Sequence, residues 1–225
     1  MKRSILSLSI ALLLAAATPA QDIVTAEQYF AGVSERYAQI TDYEARISIR
    51  TQRTTMLGTV WYKAPRLLRI DFTQPADQVI CFNGENLVVY VPEYRAVLSQ
   101  SVSTSGSGGA GLATADGLRT LRRNYTVAYE QTPNPVPLEE GSPELVVKLL
   151  LNRRTVAEGF RTIVLSVNPD TRMIRRISGI TVSNETFVFD FSGIRTNQGI
   201  PETRFVYDSP ASANVYNNFL FKTEN

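Results

Sequence analysis

Gly58-Thr-Val-Trp-Tyr-Lys-Ala-Pro-Arg-Leu-Leu-Arg-Ile-Asp-Phe-Thr-Gln-Pro75 and, after Ala76-Asp77, Gln78-Val-Ile-Cys-Phe-Asn-Gly-Glu-Asn-Leu-Val-Val-Tyr-Val-Pro92 decide the fold. β-Branched and aromatic residues crowd four runs, Thr59 to Lys63, Leu67 to Thr73, Val79 to Phe82 and Leu87 to Val91, separated by proline, asparagine and glycine. Asn83-Gly84 supplies the positive backbone angles of a tight hairpin. Connections this short leave no room for crossover helices, so the strands are antiparallel neighbours.

Working outward, the same signal extends both ways. Tyr43, Ala45, Ile47 and Ile49 alternate with Glu44, Arg46, Ser48 and Arg50, a strand with one wet face. Further strands are predicted at Arg95 to Val102, Glu144 to Leu151, Thr162 to Val167, Met173 to Val182, Thr186 to Phe191 and Phe205 to Tyr207. Asn168-Pro-Asp-Thr171 forms a turn between two of them, and Pro133 to Pro137 reads as a stiff connector. Helical spacing occurs in two places. Thr25 and Gln28 have capping-box spacing ahead of Ala26, Tyr29, Phe30, Val33, Tyr37 and Ile40. Ala115 to Arg123 sets Leu118 and Leu121 against Arg119, Arg122 and Arg123. Between strands and second helix, Ser103 to Gly111 is built of serine, threonine, glycine and alanine, and residues 99–117 are expected to form a flexible loop.

The expectation is therefore a mainly β domain with two helical pieces. Strands such as Leu87 to Val91 and Thr186 to Phe191 are apolar on both faces, and two short helices cover little of a sheet. Periodicity leaves two outcomes open: the sheet closes on its own core, or apolar surface is kept for a ligand.

Lys2 and Arg3, the apolar run from Ile5 to Ala17 and Thr18-Pro-Ala20 have the three parts of a secretory signal peptide, expected to be cut after Ala20. Residues 21–225 are then one exported domain, and with no cysteine at the cut the product is expected to be soluble. The formal charge of +2, with arginines dispersed in pairs among acids, argues against a nucleic-acid partner. Arg122-Arg123, Arg153-Arg154 and Arg175-Arg176 read as solvated faces or as contacts for acidic surfaces and lipid headgroups. Cys81 is alone, so no intramolecular disulfide forms, and it reads as a small buried hydrophobe. Histidine is absent, which removes Ser-His and Cys-His nucleophiles and every histidine metal site. No catalytic residue, metal site or cofactor is assigned, and the chain is read as a non-enzyme.

The segment from Gly58 to Pro92 resembles the outer-membrane lipoprotein carrier family, the LolA type. The resemblance rests on a G-x-x-W-x-K-x-P strand, an aromatic strand ending T-Q-P, an N-G hairpin and a strand ending Y-x-P. Asn168-Pro-Asp-Thr171 and Phe205-x-Tyr207-x-x-Pro210 agree more loosely. The resemblance implies a curved antiparallel incomplete barrel, a half-barrel, with a helical lid (Thr25 to Ile40 and Ala115 to Arg123) over an apolar cavity. It also implies a periplasmic chaperone, a monomer, that carries lipoprotein acyl chains from inner to outer membrane. Its partners would be acylated lipoproteins as cargo, an inner-membrane ABC-type release complex and an outer-membrane acceptor. A carrier of free lipid or glycolipid, an envelope lipoprotein sensor, or a lipid-modifying enzyme at the same cavity are the alternatives. Candidates for the acyl cavity are Leu68, Ile70 and Phe72, which share a strand face, with Ile80, Phe82, Val88 and Tyr90 on the neighbouring hairpin and Leu118 and Leu121 from the lid. Family members carry a lid-closing arginine where Ala64 stands here, and Arg66 is the candidate latch in its place. Leu68 occupies a position where relatives often have phenylalanine.

Overall fold

A computed structural model describes residues 24–101 and 112–218. The signal-peptide reading, and the glycine-rich centre of the loop, lie outside the described residues. Thr25 caps α1 (Ala26–Ala38) through a complete capping box with Gln28. Six strands follow: β1 (Asp42–Arg50), β2 (Thr55–Lys63), β3 (Leu67–Gln74), β4 (Val79–Phe82), β5 (Asn86–Val91) and β6 (Ala96–Ser101). Then come α2 (Ala115–Asn124), β7 (Tyr125–Tyr129), β8 (Val136–Pro137), β9 (Leu145–Arg153), β10 (Phe160–Val167), β11 (Ile174–Thr181), β12 (Thr186–Thr196) and β13 (Asn214–Asn217).

The strands form one open curved sheet in the order β13-β6-β5-β4-β3-β2-β1-β12-β11-β10-β9-β7, with β8 beside β9. β13 pairs with β6 in parallel; the other ladders are antiparallel. Its end strands do not meet, so the mainly β half-barrel expectation holds and the closed barrel does not. Among the described residues no helix is long and apolar enough to cross a membrane.

Four expectations are corrected. Phe205 to Tyr207 is not a strand: a 3₁₀ turn over Glu202–Phe205 leads into extended chain. β7 and β13 are strands that no strong alternation announces. The connector at Pro133 to Pro137 ends in β8, paired with Leu145 and Val146. The loop is narrower than 99–117, since β6 runs to Ser101, Leu112 and Ala113 are buried, and α2 begins at Ala115.

The pairing register explains Gly58. At the irregular step where Leu57 faces Gln74 but Gly58 faces Phe72, a Cβ on Gly58 would sit 2.4 Å from the Asp71 carbonyl oxygen. Only glycine lets the two backbones approach so closely.

The sheet has two apolar layers over its β2–β6 half. Inner-facing Val60, Ile70 and Ile80 line up across the ladders, as do Tyr62, Leu68 and Phe82. On the opposite face Trp61, Arg69, Cys81 and Val88 form one row, and Asp71, Val79, Tyr90 and Val97 another. The chain after β12 crosses this outer face as a strap. Buried Asp42 starts it, accepting from the Gln198 and Gly199 amides at 2.7 and 3.0 Å. Lys63 Nζ donates to the Ile200 carbonyl (2.6 Å), and Arg204 lies 4.9 Å over the Trp61 ring. Arg69 donates to the carbonyls of Arg204 and Val206, and Phe205, 1% exposed, offers its carbonyl to the Cys81 thiol. Tyr207 stacks near Tyr90 at 6.1 Å. Thus Trp61 and Lys63 of the sequence motif hold the strap, which covers the outer face of β2 to β5.

Burial raises the Cys81 thiol above its ordinary pKa, which keeps it unreactive. Phe205→Ala is expected to destabilise the fold by about 3–5 kcal/mol, the usual cost of emptying a phenylalanine site. It should also raise the rate at which Cys81 reacts with a disulfide reagent under native conditions. An unchanged rate and melting temperature would show that the strap does not cover Cys81.

Candidate functional site

Inner-facing residues from nearly the whole sheet meet the two helices in one apolar cluster. α1 contributes Phe30, Val33 and Tyr37; β3 contributes Leu68, Ile70 and Phe72; β9–β11 contribute Leu149, Leu151, Leu165 and Ile177. α2 seats Leu118 and Leu121, 0% and 1% exposed, in the same cluster. Thr114 accepts from the Gly117 amide to cap α2, so the helix starts where its leucines can enter. Helix formation thus presents an apolar stripe inward and three arginines outward.

Ladder register sorts the candidate residues. Leu68 pairs with Phe82 and Ile70 with Ile80, so these four share the inner face with Phe72, Leu118 and Leu121, which belong to the same cluster. Val88 and Tyr90 do not join them. They pair with Cys81 and Val79 on the outer face, under the strap, and Leu87 and Val89 take the inner positions beside Phe82 and Ile80. An alternating strand read one residue out of register exchanges its two faces, and the uniform Leu87 to Val91 run has no polar residue to fix it. Leu87, Val89, Leu98, Ile80 and Phe82 are only half-buried, so apolar surface continues along the inner face toward β6.

Three tyrosines bring hydroxyls into this layer. Tyr37 accepts from the Ile174 amide at 3.1 Å and ties α1 to the start of β11. Tyr62 donates to the Pro65 carbonyl at 3.1 Å, and burial pushes its pKa up to about 12. Tyr43, its ring 5.3 Å from that of Tyr62, has a buried hydroxyl with no hydrogen-bond partner. Burial raises the pKa of Tyr43 well above the ordinary tyrosine value, so it is a neutral donor in apolar surroundings. The alternation of Tyr43 with Glu44 showed that it faces inward; nothing in the sequence showed that its hydroxyl would be unpaired.

Arg66 follows the β2–β3 turn, half-buried, with Nε 3.9 Å from Asp116 Oδ2 on the first turn of α2. Asp116 also pairs with Arg119. Ala64, exposed, has no side chain to reach the lid.

An open curved sheet with an apolar inner face, roofed by two amphipathic helices, is the framework of a carrier for an apolar ligand. The family model described as outer membrane lipoprotein carrier protein LolA matches residues 30–208, and the chain belongs to this family. It is 26% identical over 158 residues to an outer-membrane lipoprotein carrier protein of Hahella chejuensis, covering 70% of each chain. It is 22% identical over 167 residues to that of Pseudomonas aeruginosa, covering 74% of this chain and 73% of the relative. Among solved structures, an uncharacterized conserved protein of Thermus thermophilus shares the fold with a TM-score of 0.55 at 14% identity, over 83% of this chain and 98% of that one. A chain in the Pseudomonas aeruginosa MucA/MucB complex gives 0.50 at 12% identity, over 81% of this chain and 61% of that one.

A partly exposed ion pair at 3.9 Å contributes up to about 1 kcal/mol, and if α2 opens as a lid the pair would favour the closed state roughly fivefold. Arg66→Leu and Asp116→Asn are each expected to raise the fluorescence of an environment-sensitive hydrophobic dye by up to about that factor. Dye binding identical to the parent in both variants would remove Arg66 from lid closure.

Proposed function

We propose that the chain is a periplasmic carrier that takes the acyl chains of lipoproteins under its helical lid and moves them from inner to outer membrane. The observation that carries this reading is that Leu118 and Leu121 of α2 fill the inner face as an acyl chain would, on a helix preceded by a serine- and glycine-rich segment. Family membership supports it. The release complex at the inner membrane and the acceptor at the outer membrane belong to the same proposal. The protein itself performs no chemistry in it.

Displacement sets the affinity. Each CH₂ moved out of water contributes about 0.8 kcal/mol, so one long chain yields about 10 kcal/mol gross. Lifting α2 uncovers Leu118 and Leu121, which costs about 1.5–3 kcal/mol for each. The lid therefore takes back roughly a third to three-fifths of the gain from the first chain. That difference lets a downstream acceptor compete for cargo. Within the layer the Tyr43 hydroxyl would donate to the ester or amide carbonyl at the head of an acyl chain, the group that an apolar cavity otherwise leaves unpaired.

Protein purified from its native envelope is expected to yield acylated polypeptide by mass spectrometry. Free phospholipid or glycolipid instead would transfer the reading to a lipid carrier. Tyr43→Phe should weaken binding of an acylated peptide about fivefold, one hydrogen bond, while leaving stability equal or higher, because a buried hydroxyl without a partner is removed. Equal affinity in the variant would take Tyr43 out of the site.

A further inference from the structure

Two buried donors without acceptors stand side by side where α1 meets the far end of β7 and the start of β11. The turn from Asn168 to Thr171 leads into Arg172, whose backbone is left-handed with φ of 58°. A long side chain is a strained choice at such a position, where glycine or asparagine is the ordinary one. Its guanidinium lies over the Tyr29 ring, with Cζ 3.9 Å from the ring centroid, and Tyr29 packs edge-on against Tyr129 at 6.3 Å. Tyr29 is 7% exposed, and its hydroxyl has no hydrogen-bond partner. Nη1 of Arg172 is buried and also unpaired, and among the described residues no carboxylate lies within ion-pair distance of this guanidinium. Asp170, exposed, is the acid whose charge is felt at Tyr29. Burial raises the Tyr29 pKa, and the Arg172 charge opposes that rise without reversing it, so the hydroxyl is a neutral donor. A cation and a hydroxyl at the margin of an apolar layer, neither with an acceptor, cost free energy that an anion would offset.

We infer that Tyr29 and Arg172 hold the carboxylate of a long-chain fatty acid whose tail lies under the helical lid. Two adjoining donors match the two oxygens of a carboxylate, and one guanidinium balances one negative charge. The surroundings supply the place for the tail. Tyr29 belongs to the apolar cluster that Leu118 and Leu121 complete, and α2 packs against both α1 and β7. β7 bridges the interval, with Tyr125 at the end of α2 and Tyr129 beside Tyr29, about 13 Å along the strand. An alkyl chain that displaces the two leucines therefore reaches the donor pair with its head. The neutral Tyr43 hydroxyl suits an ester or amide carbonyl, whereas a pair that contains a cation selects an ionised head. The inference rests on the reading that the inner face takes acyl chains, and it adds a free acid to what that face accepts.

The test is displacement of an environment-sensitive hydrophobic dye from the full chain by dodecanoate and by dodecanol, which share a tail and differ in the head. Dodecanoate is expected to bind at least about tenfold more tightly, the contribution of one charge-assisted hydrogen bond. Tyr29→Phe keeps the ring beneath the guanidinium, and Arg172→Gln removes the charge. Each should weaken dodecanoate about tenfold and leave dodecanol unchanged, so the alcohol reports on an intact fold in the same experiment. Equal affinity for acid and alcohol in the parent chain, or a preference for the acid that survives in both variants, would overturn the inference. Tighter binding of dodecyl phosphate than of dodecanoate would overturn the choice of a carboxylate. Acylated-peptide binding separates the two proposals. A chain that binds acylated peptide without preferring the acid loses this inference and keeps the lipoprotein carrier; one that prefers the acid through Tyr29 and Arg172 but takes no acylated peptide does the reverse.

Discussion

The structure depends on one constraint: a sheet whose end strands do not meet keeps an apolar inner face that the rest of the chain must cover. α1 and α2 supply that cover. They are unequally fixed. Within α1, Tyr37 is buried and bonded to the Ile174 amide, Tyr29 packs edge-on to Tyr129 at 6.3 Å, and Arg172 stacks over the Tyr29 ring. α2 carries a shorter apolar stripe and, besides its leucines, a loose ion pair at its first turn and the bond from the Arg154 amide to the Asn124 carbonyl at its last. A lid that moves would pivot on the helix with fewer ties, since local opening follows the least-bonded element.

The outer face of the sheet has a cover of its own. Over β2–β6 the strap from Gln198 to Tyr207 is fastened by Asp42, Lys63, Arg69 and Trp61, with Phe205 buried beneath it. These contacts join residues more than a hundred positions apart and lock the first half of the sheet to the segment after β12. The strap secures the outer face, while the inner face is the one that would exchange cargo in the proposed function. The motif residues Trp61 and Lys63 belong to the first task, although a resemblance to a carrier draws the eye to them for the second.

Most of this fold was legible because its signals are local. Thr25 with Gln28, Asn83-Gly84, Asn168 to Thr171 and the alternation from Tyr43 to Arg50 each specify an element within a few residues. β7 and β13 were not legible, since the first takes its place by following α2 and the second by a parallel pairing that the strap delivers. Phe205 to Tyr207 has the composition of a strand, yet tertiary contacts hold it over a face and not in a ladder. In the candidate site, Leu68, Ile70 and Phe72 were placed by their period of two, whereas Val88 and Tyr90 were exchanged for Leu87 and Val89. A run without a polar residue carries no record of its own facing.

α2 unites the two surfaces. Its leucines face the core and its arginines face solvent. Uncovering two leucines into water is the main cost of opening, about 3–6 kcal/mol in all. The amphipathic pattern of ten residues thus sets both how the lid closes and what opening it would cost.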